Sequence, residues 1–257
     1  MKYCSIVVVH YSLPDDFGGK RAQGADRSQM MKQSLESLFN NTDYPAEIIV
    51  MDNGGKPDDT DWLLEKVREG KIQTLVRYSQ NLNFAWAWNQ GFRLATGDYV
   101  CFTCNDLTYD KGWLSTCINL LEKYSDRKLL ATPYVSTDKN NDRHNKEILE
   151  DAKINSMAGS NCFIIRPEDF KEIGEMPHHR VGGSIWHRRM FRRGYHVIAP
   201  LQNLATHIGY HGGTNFKEHI EIERTLLKGE KVNYTYTYTD ANVDYYFGQQ
   251  RPAGVKL

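Results

Sequence analysis

Gly97-Asp98-Tyr99-Val100-Cys101-Phe102-Thr103-Cys104-Asn105-Asp106 is a hydrophobic run that ends on an amide and a carboxylate. The apolar and β-branched residues predict a strand over 99–103, with Asn105-Asp106 just past its end. A few residues on, Gly112-Trp113-Leu114 opens a helical pattern that runs to residue 124. Upstream, the same order recurs. Residues 3–9 and 46–51 read as buried strands, and 74–78 as a shorter one. Between them, 28–39, 62–69 and 85–95 carry apolar side chains at helical spacing. Strands alternating with helices imply an α/β fold with a mainly parallel sheet. Such sheets gather ligands beyond the carboxyl ends of their strands. Asp52 and Asp106 both stand at such ends.

The second half is less regular. Strands are expected at 129–135, 158–165 and 196–200, and helices at 167–173, 185–193 and 218–227. Residues 12–26 and 136–145 read as polar loops. The tail from Val232 alternates Tyr and Thr before turning polar. No internal repeat and no linker divides the chain. The expectation is one domain over residues 1–215, in two halves at 1–114 and 115–215. Residues 216–257 would pack on it as a C-terminal helix and Tyr-rich tail.

The chain has 257 residues and a formal net charge of zero, which argues against a broad electrostatic grip on nucleic acid. No apolar run approaches the ~20 residues of a membrane helix, and the first strand begins too early for a signal peptide. A cytoplasmic location is expected. Five cysteines without a repeating pattern fit free thiols better than a disulfide framework.

Two segments carry chemistry. Asp106 can bind a hard divalent cation through carboxylate oxygen, and such a cation neutralises the charge of a departing diphosphate. A lone strand-end aspartate is equally at home as a helix cap. In Asn81-Leu82-Asn83-Phe84-Ala85-Trp86-Ala87-Trp88-Asn89-Gln90-Gly91, asparagines flank a helix start. Alanine and glycine keep one helix face narrow enough for close approach. Trp88 reads as core whatever the function.

Together these segments make the chain resemble a family 2 glycosyltransferase of the GT-A fold, in its rhamnosyltransferase-like branch. That family opens with a strand such as Ile6-Val7-Val8-Val9-His10-Tyr11, continues through a helix like Gln33-Ser34-Leu35-Glu36-Ser37-Leu38, and closes its second strand on Asp-Asn, here Val50-Met51-Asp52-Asn53. Its N-x-G-F-A-x-A-x-N-x-G signature is matched from Asn81 to Gly91, with Asn83 in place of the first glycine. Asparagine tolerates a positive φ better than most residues. The family's metal segment is matched by Cys104-Asn105-Asp106 and Asp110-Lys111-Gly112-Trp113-Leu114. A late segment, Ala205-Thr206-His207-Ile208-Gly209-Tyr210-His211, completes the likeness.

The resemblance implies a Rossmann-like central sheet flanked by helices. It implies transfer of a sugar from a UDP-, GDP- or dTDP-sugar to a hydroxyl of a carbohydrate or lipid-linked acceptor. It also implies Mn2+ or Mg2+ held by Asp106 and His207, with His211 as the rival ligand. His10, Tyr11, Asp52, Asn53, Asn81, Asn89 and Asn105 would line the nucleotide-sugar pocket, Asp52 meeting the nucleobase.

One part of the pattern is missing. The family places a Glu-Asp pair before an R-x-G-Y segment, and its aspartate deprotonates the acceptor. Arg192-Arg193-Gly194-Tyr195 matches the segment, yet Gly182-Gly183 stand where the pair belongs, and no carboxylate lies between Met176 and Phe191. A glycine cannot accept a proton. Three readings stay open: a base supplied by His178, His179 or His187, a retaining transferase, or a chain that binds donor and turns over weakly. Among rivals, a zinc module built on Cys101 and Cys104 with His207 and His211 has the right ligand types, but strand geometry argues against it, since odd separation points the two cysteine side chains to opposite faces. A nucleotidyltransferase would need a glycine-rich basic loop, of which Gly18-Gly19-Lys20-Arg21 is a faint echo. A non-catalytic sugar-binding protein is the remaining alternative.

Overall fold

The computed structural model describes residues 2–12, 26–133, 145–155, 161–178 and 182–208. The first four strands, β1 (Cys4–His10), β2 (Ala46–Asp52), β3 (Thr74–Arg77) and β4 (Tyr99–Cys104), pair in parallel in the order β3-β2-β1-β4. β1 is buried along its whole length, as its unbroken apolar run requires of a strand covered on both faces. The crossovers are α1 (Arg27–Asn41), α2 (Pro57–Arg68) and α3 (Phe84–Leu94).

Beyond β4 the sheet becomes mixed. β9 (Cys162–Ile165) runs antiparallel to both β4 and β6 (Leu129–Ala131), and β10 (His196–Pro200) returns parallel to β6. A hairpin of β7 (Asn145–Ile148) and β8 (Ala152–Asn155) closes that edge antiparallel to β10. The sheet therefore reads β3-β2-β1-β4-β9-β6-β10-β8-β7. β5 (Leu107–Tyr109) and β11 (Ala205–His207) form a separate antiparallel ribbon, with His207 opposite Leu107.

Two cores flank the sheet. On one face, Ile6 and Val8 pack with Leu35 and Leu38 of α1, Leu63 of α2 and Leu121 of α4 (Trp113–Lys123). On the other, Val7 and Val9 pack with Trp88 of α3, Phe170 of α5 (Pro167–Ile173) and Trp186 of α6 (Gly182–Arg192). Neighbours along β1 alternate between these cores, as a period of two dictates. The same alternation sends Cys101 into the first core and Cys104 against the second, so a shared zinc is ruled out for that pair.

Several boundaries differ from the sequence reading. Helix α2 begins at Pro57 rather than 62, because proline fits the first helical position and Asp58 and Asp59 favour the helix's positive end. Helix α6 begins at Gly182 rather than 185. Strand β6 is confined to Leu129–Ala131. Asn145, placed in a polar loop by composition, starts β7. All of the expected 12–26 loop but its two end residues, the expected helix at 218–227, the Tyr-rich tail, most of the 136–145 loop, Gly18-Gly19-Lys20-Arg21, His179 and His211 lie outside the described residues.

Candidate active site

The carboxyl ends of β1, β2 and β4 converge, and each presents a polar side chain there. His10 ends β1 and is fully buried. Its Nδ1 lies 2.9 Å from Asn105 Nδ2, just past β4, and its Nε2 lies 3.4 Å from Asp59 Oδ2 on α2. Burial alone would raise the Asp59 carboxyl, but hydrogen bonds from His10, Ser12 and Ser28 outweigh it and bring it down to about 2. Asp59 is therefore a buried carboxylate. Tyr11, next along the chain, is half-buried.

Asp52 ends β2, also fully buried. Its Oδ1 accepts from the Gly55 backbone at 2.8 Å, and its Oδ2 accepts from Thr60 Oγ1 and Arg77 Nη1, both at 2.8 Å. The carboxylate that the sequence reading aimed at a nucleobase is thus engaged by three internal donors. Arg77 is the exposed member of this group, with 39% of its side chain accessible. Gly55 is obligatory here. A Cβ would stand 2.7 Å from His10 Nε2 and 2.9 Å from Asp52 Oδ1.

Asn53 ties this end of β2 to the start of α3. Its Nδ2 donates to Asn81 Oδ1 at 2.8 Å, and its Oδ1 accepts from Leu82 N at 2.9 Å. Asn81 Oδ1 also accepts from Asn83 N, and Asn83 Oδ1 caps the helix by accepting from Ala85 N, both at 2.8 Å. Asn83 has φ 81° and ψ 146°, the sole positive φ outside glycine among the described residues. Glycine occupies that region readily, whereas a side chain there costs about 1–3 kcal/mol. The cap bond offsets part of it. Trp88, on the far face of α3, is core, donating Nε1 to Thr103 O at 3.2 Å.

The segment expected to hold a metal follows β4. Asp106 Oδ2 lies 3.2 Å from His207 Nε2, and Asp106 Oδ1 is buried with no hydrogen-bond partner. The β5–β11 ribbon creates this pair. It sets His207 opposite Leu107, and Ile208 N donates to the Asp106 carbonyl at 2.9 Å. An oxygen and an imidazole nitrogen side by side, with one carboxylate oxygen unspent, suit a divalent ion that takes its remaining ligands from phosphate and water. Among the described residues, no group of three or more His, Cys, Asp or Glu side chains could hold a metal alone.

Asn89 joins α3 to the segment around Met176 and His178. Its Oδ1 accepts from Met176 N at 3.1 Å, so its Nδ2 faces Met176 O at 2.9 Å and His178 Nε2 at 3.0 Å. The amide can only donate, so His178 Nε2 accepts, and the proton of its neutral ring sits on Nδ1. Burial, with Arg93 nearby, draws His178 down to about 4. The ring stands edge-on to Trp86, with centroids 4.6 Å apart.

His187 lies in α6, buried between Phe163 and Trp186. Its Nδ1 is 2.8 Å from Gly183 O. A carbonyl only accepts, so Nδ1 carries the proton, and Nε2 holds a lone pair with no hydrogen-bond partner. Burial pushes this ring down to about 4, against the opposing pull of the Gly183 carbonyl. A pH dependence of stability follows. Above about 6.5, the ordinary histidine value, the ring is neutral folded or unfolded and stability is full. As pH falls from 6.5 towards 4, only the unfolded chain takes up the proton, so stability declines by up to about 3 kcal/mol from this residue. Urea unfolding at pH 7.5 and 4.5 should record the loss, and His187→Gln should flatten the slope. An unchanged slope in the variant would refute the assignment to His187.

Sequence reasoning missed Asp59, Thr60, Arg77 and Gly55, of which only the run Gly54-Gly55 after Asp52-Asn53 carried a local signal. Among the described residues, no helix is long and apolar enough to cross a membrane.

Residues 26–197 match the sequence model of Glycosyl transferase family 2. Comparison with curated protein sequences gave no significant match. Solved structures share the fold. A mannosyltransferase, PcManGT of Pyrobaculum calidifontis, solved with GDP-Man and Mn2+, superposes with a TM-score of 0.62 at 16% identity over 82% of this chain and 58% of its own. TarS 1-349 of S. aureus gives 0.61 at 17% identity, over 96% and 69%. GalNAc-T7, solved with UDP, GalNAc and Mn2+, gives 0.59 at 15% identity, over 86% and 48%. The chain thus spans about half the length of GalNAc-T7 and little more than half that of the mannosyltransferase. At these identities the superpositions speak for the GT-A fold. The sequence match covers most of the described chain, and on it the protein belongs to glycosyl transferase family 2.

Proposed function

We propose that this chain transfers a sugar from a nucleoside diphosphate sugar to a hydroxyl acceptor, using Mn2+ or Mg2+. The observation that carries this reading is the Asp106–His207 pair at 3.2 Å, with Asp106 Oδ1 buried and unpartnered beyond the end of β4. Bound there, the cation would supply charge neutralisation for the departing diphosphate. The protein's own part is positional. Asn53, Asn81 and Asn83 lock the loop before α3, while Asp52, Thr60 and Arg77 form the wall where a nucleobase would rest. Arg77 is the accessible donor on that wall.

The acceptor's proton needs a sink. His178 spends its Nε2 lone pair on Asn89, so it serves better as a tether for the 174–178 segment. His187 keeps an unspent lone pair and is neutral at physiological pH, one turn below the Gly182-Gly183 start of α6. It is the better placed of these two to take a proton, directly or through water. The fold is compatible with inverting and retaining transfer alike.

Calorimetric titration of the purified chain with UDP, GDP and dTDP, each with and without Mn2+, tests the reading. At least one should bind at least tenfold tighter with the cation. Failure of all three under both conditions would leave a binding protein for some other ligand.

A further inference from the structure

We infer that His10 is a positioning residue for the segment proposed to hold the metal: facing the buried Asp59 at ion-pair distance on one side and hydrogen-bonded to Asn105 on the other, it sets the Asn105-Asp106 backbone for the cation and diphosphate. The inference rests on the proposed donor site and deepens it.

The two sides of the ring are chemically determined. Asp59 is an ionised carboxylate and can only accept, so the nitrogen facing it, Nε2, carries a proton. Asn105 Nδ2, an amide nitrogen that only donates, lies 2.9 Å from Nδ1, so Nδ1 is the acceptor. The chain of contacts runs from α2 through the end of β1 to the loop after β4. Its inner members are inaccessible, with His10 at 0% and Asp59 at 1% exposure, and Ser28 Oγ of α1 donates to Asp59 Oδ2 at 3.0 Å. Gly55 packs so closely on the ring that a Cβ would come within 2.9 Å of both His10 Nε2 and Cδ2, which fixes the ring plane. Asn105 is covalently next to Asp106, whose Oδ1 has no partner. An amide held by a rigid, buried imidazole therefore restrains the backbone that presents the cation's carboxylate. Groups that orient a metal ligand without touching the metal typically contribute about 10–100-fold in affinity or activity.

Two substitutions separate the sides of the ring. In His10→Asn, Oδ1 takes the place of Nδ1 and keeps the Asn105 contact, but Asp59 loses its donor. In His10→Gln, Nε2 takes the place of the imidazole Nε2 and keeps Asp59 satisfied, but the Asn105 contact is lost. The readout is the dissociation constant, with saturating Mn2+, of whichever of UDP, GDP and dTDP binds the wild-type chain most tightly, beside thermal unfolding of each variant. His10→Gln should weaken binding about tenfold or more, and clearly more than His10→Asn does, while His10→Asn unfolds at the lower temperature. A purely structural role would make binding follow stability, with His10→Asn the poorer binder, and that result overturns the inference. Equal affinity in both variants and the wild type overturns it too, while leaving the donor site intact. Absence of binding by the wild-type chain would remove the donor-site reading and this inference together.

Discussion

Asp106→Asn is expected to reduce transfer and the Mn2+-dependent part of nucleotide affinity by about two to three orders of magnitude, with little change in folding stability. The magnitude follows from the several kcal/mol that a cation contributes at a departing phosphate, at about 1.4 kcal/mol per decade. The selectivity follows from the contacts. Asp106 Oδ1 has no hydrogen-bond partner, and Oδ2 lies 3.2 Å from His207 Nε2, on a side chain 31% accessible. An amide of the same shape keeps the ribbon, since Ile208 N bonds to the backbone carbonyl and not to the side chain. His207→Ala should act in the same direction but less strongly, because the carboxylate carries the charge. Release of nucleoside diphosphate from sugar nucleotide, followed with and without chelator, is the measurement. A variant that turns over at the wild-type rate with undiminished cation dependence would sink the assignment of Asp106.

Gly91→Ala should destabilise the fold by about 3 kcal/mol, at the upper end of the range for overpacking a core. Helix α3 crosses β1 so closely that a Cβ at Gly91 would stand 2.2 Å from Val7 Cγ1. Val7 is fully buried and β-branched, so it has no alternative rotamer to retreat into. Either α3 lifts from the sheet or Val7 distorts. Lifting α3 would also pull Asn83 and Asn89 from their partners, so nucleotide affinity should fall along with stability. Urea denaturation gives the first effect, and pairing the change with Val7→Ala supplies a control. The double variant should be less destabilised than the sum of the single changes, since the two sites share one space. Strict additivity, or a Gly91→Ala chain as stable as wild type, would show that the helix has room to spare.

The parallel half of the sheet was legible because its strands are continuous apolar runs and its helices carry a regular stripe. Gly91 and Asn83 were legible too, as a narrow face and a tolerated positive φ. The short elements were not. β5 and β11 are three residues each and exist only because they pair with one another, and the β7–β8 hairpin lies in polar sequence whose pairing comes from β10. Asp59 illustrates the limit most clearly. Within Lys56-Pro57-Asp58-Asp59-Thr60-Asp61 it looks like one more charge on a solvated helix face, and its neighbours Asp58 and Asp61 are indeed exposed. Only the arrival of His10 and Ser28 from other elements makes its burial tolerable. Asp106 was visible at its strand end, but its pairing with His207 was reached through family resemblance alone. No local pattern links residues so far apart in the chain.

That separation bears on how the chain matures. About a hundred residues must close into a loop before β11 can lie along β5, and such distant pairings form late in folding. A chain still emerging from the ribosome could complete β1 to β4 and α3 well before it owned His207. A cation held between Asp106 and His207, as proposed, would require this ribbon to have formed, and with nucleotide bound it would favour the paired ribbon by mass action. Affinity for the proposed cation would then report whether the β5–β11 ribbon has closed.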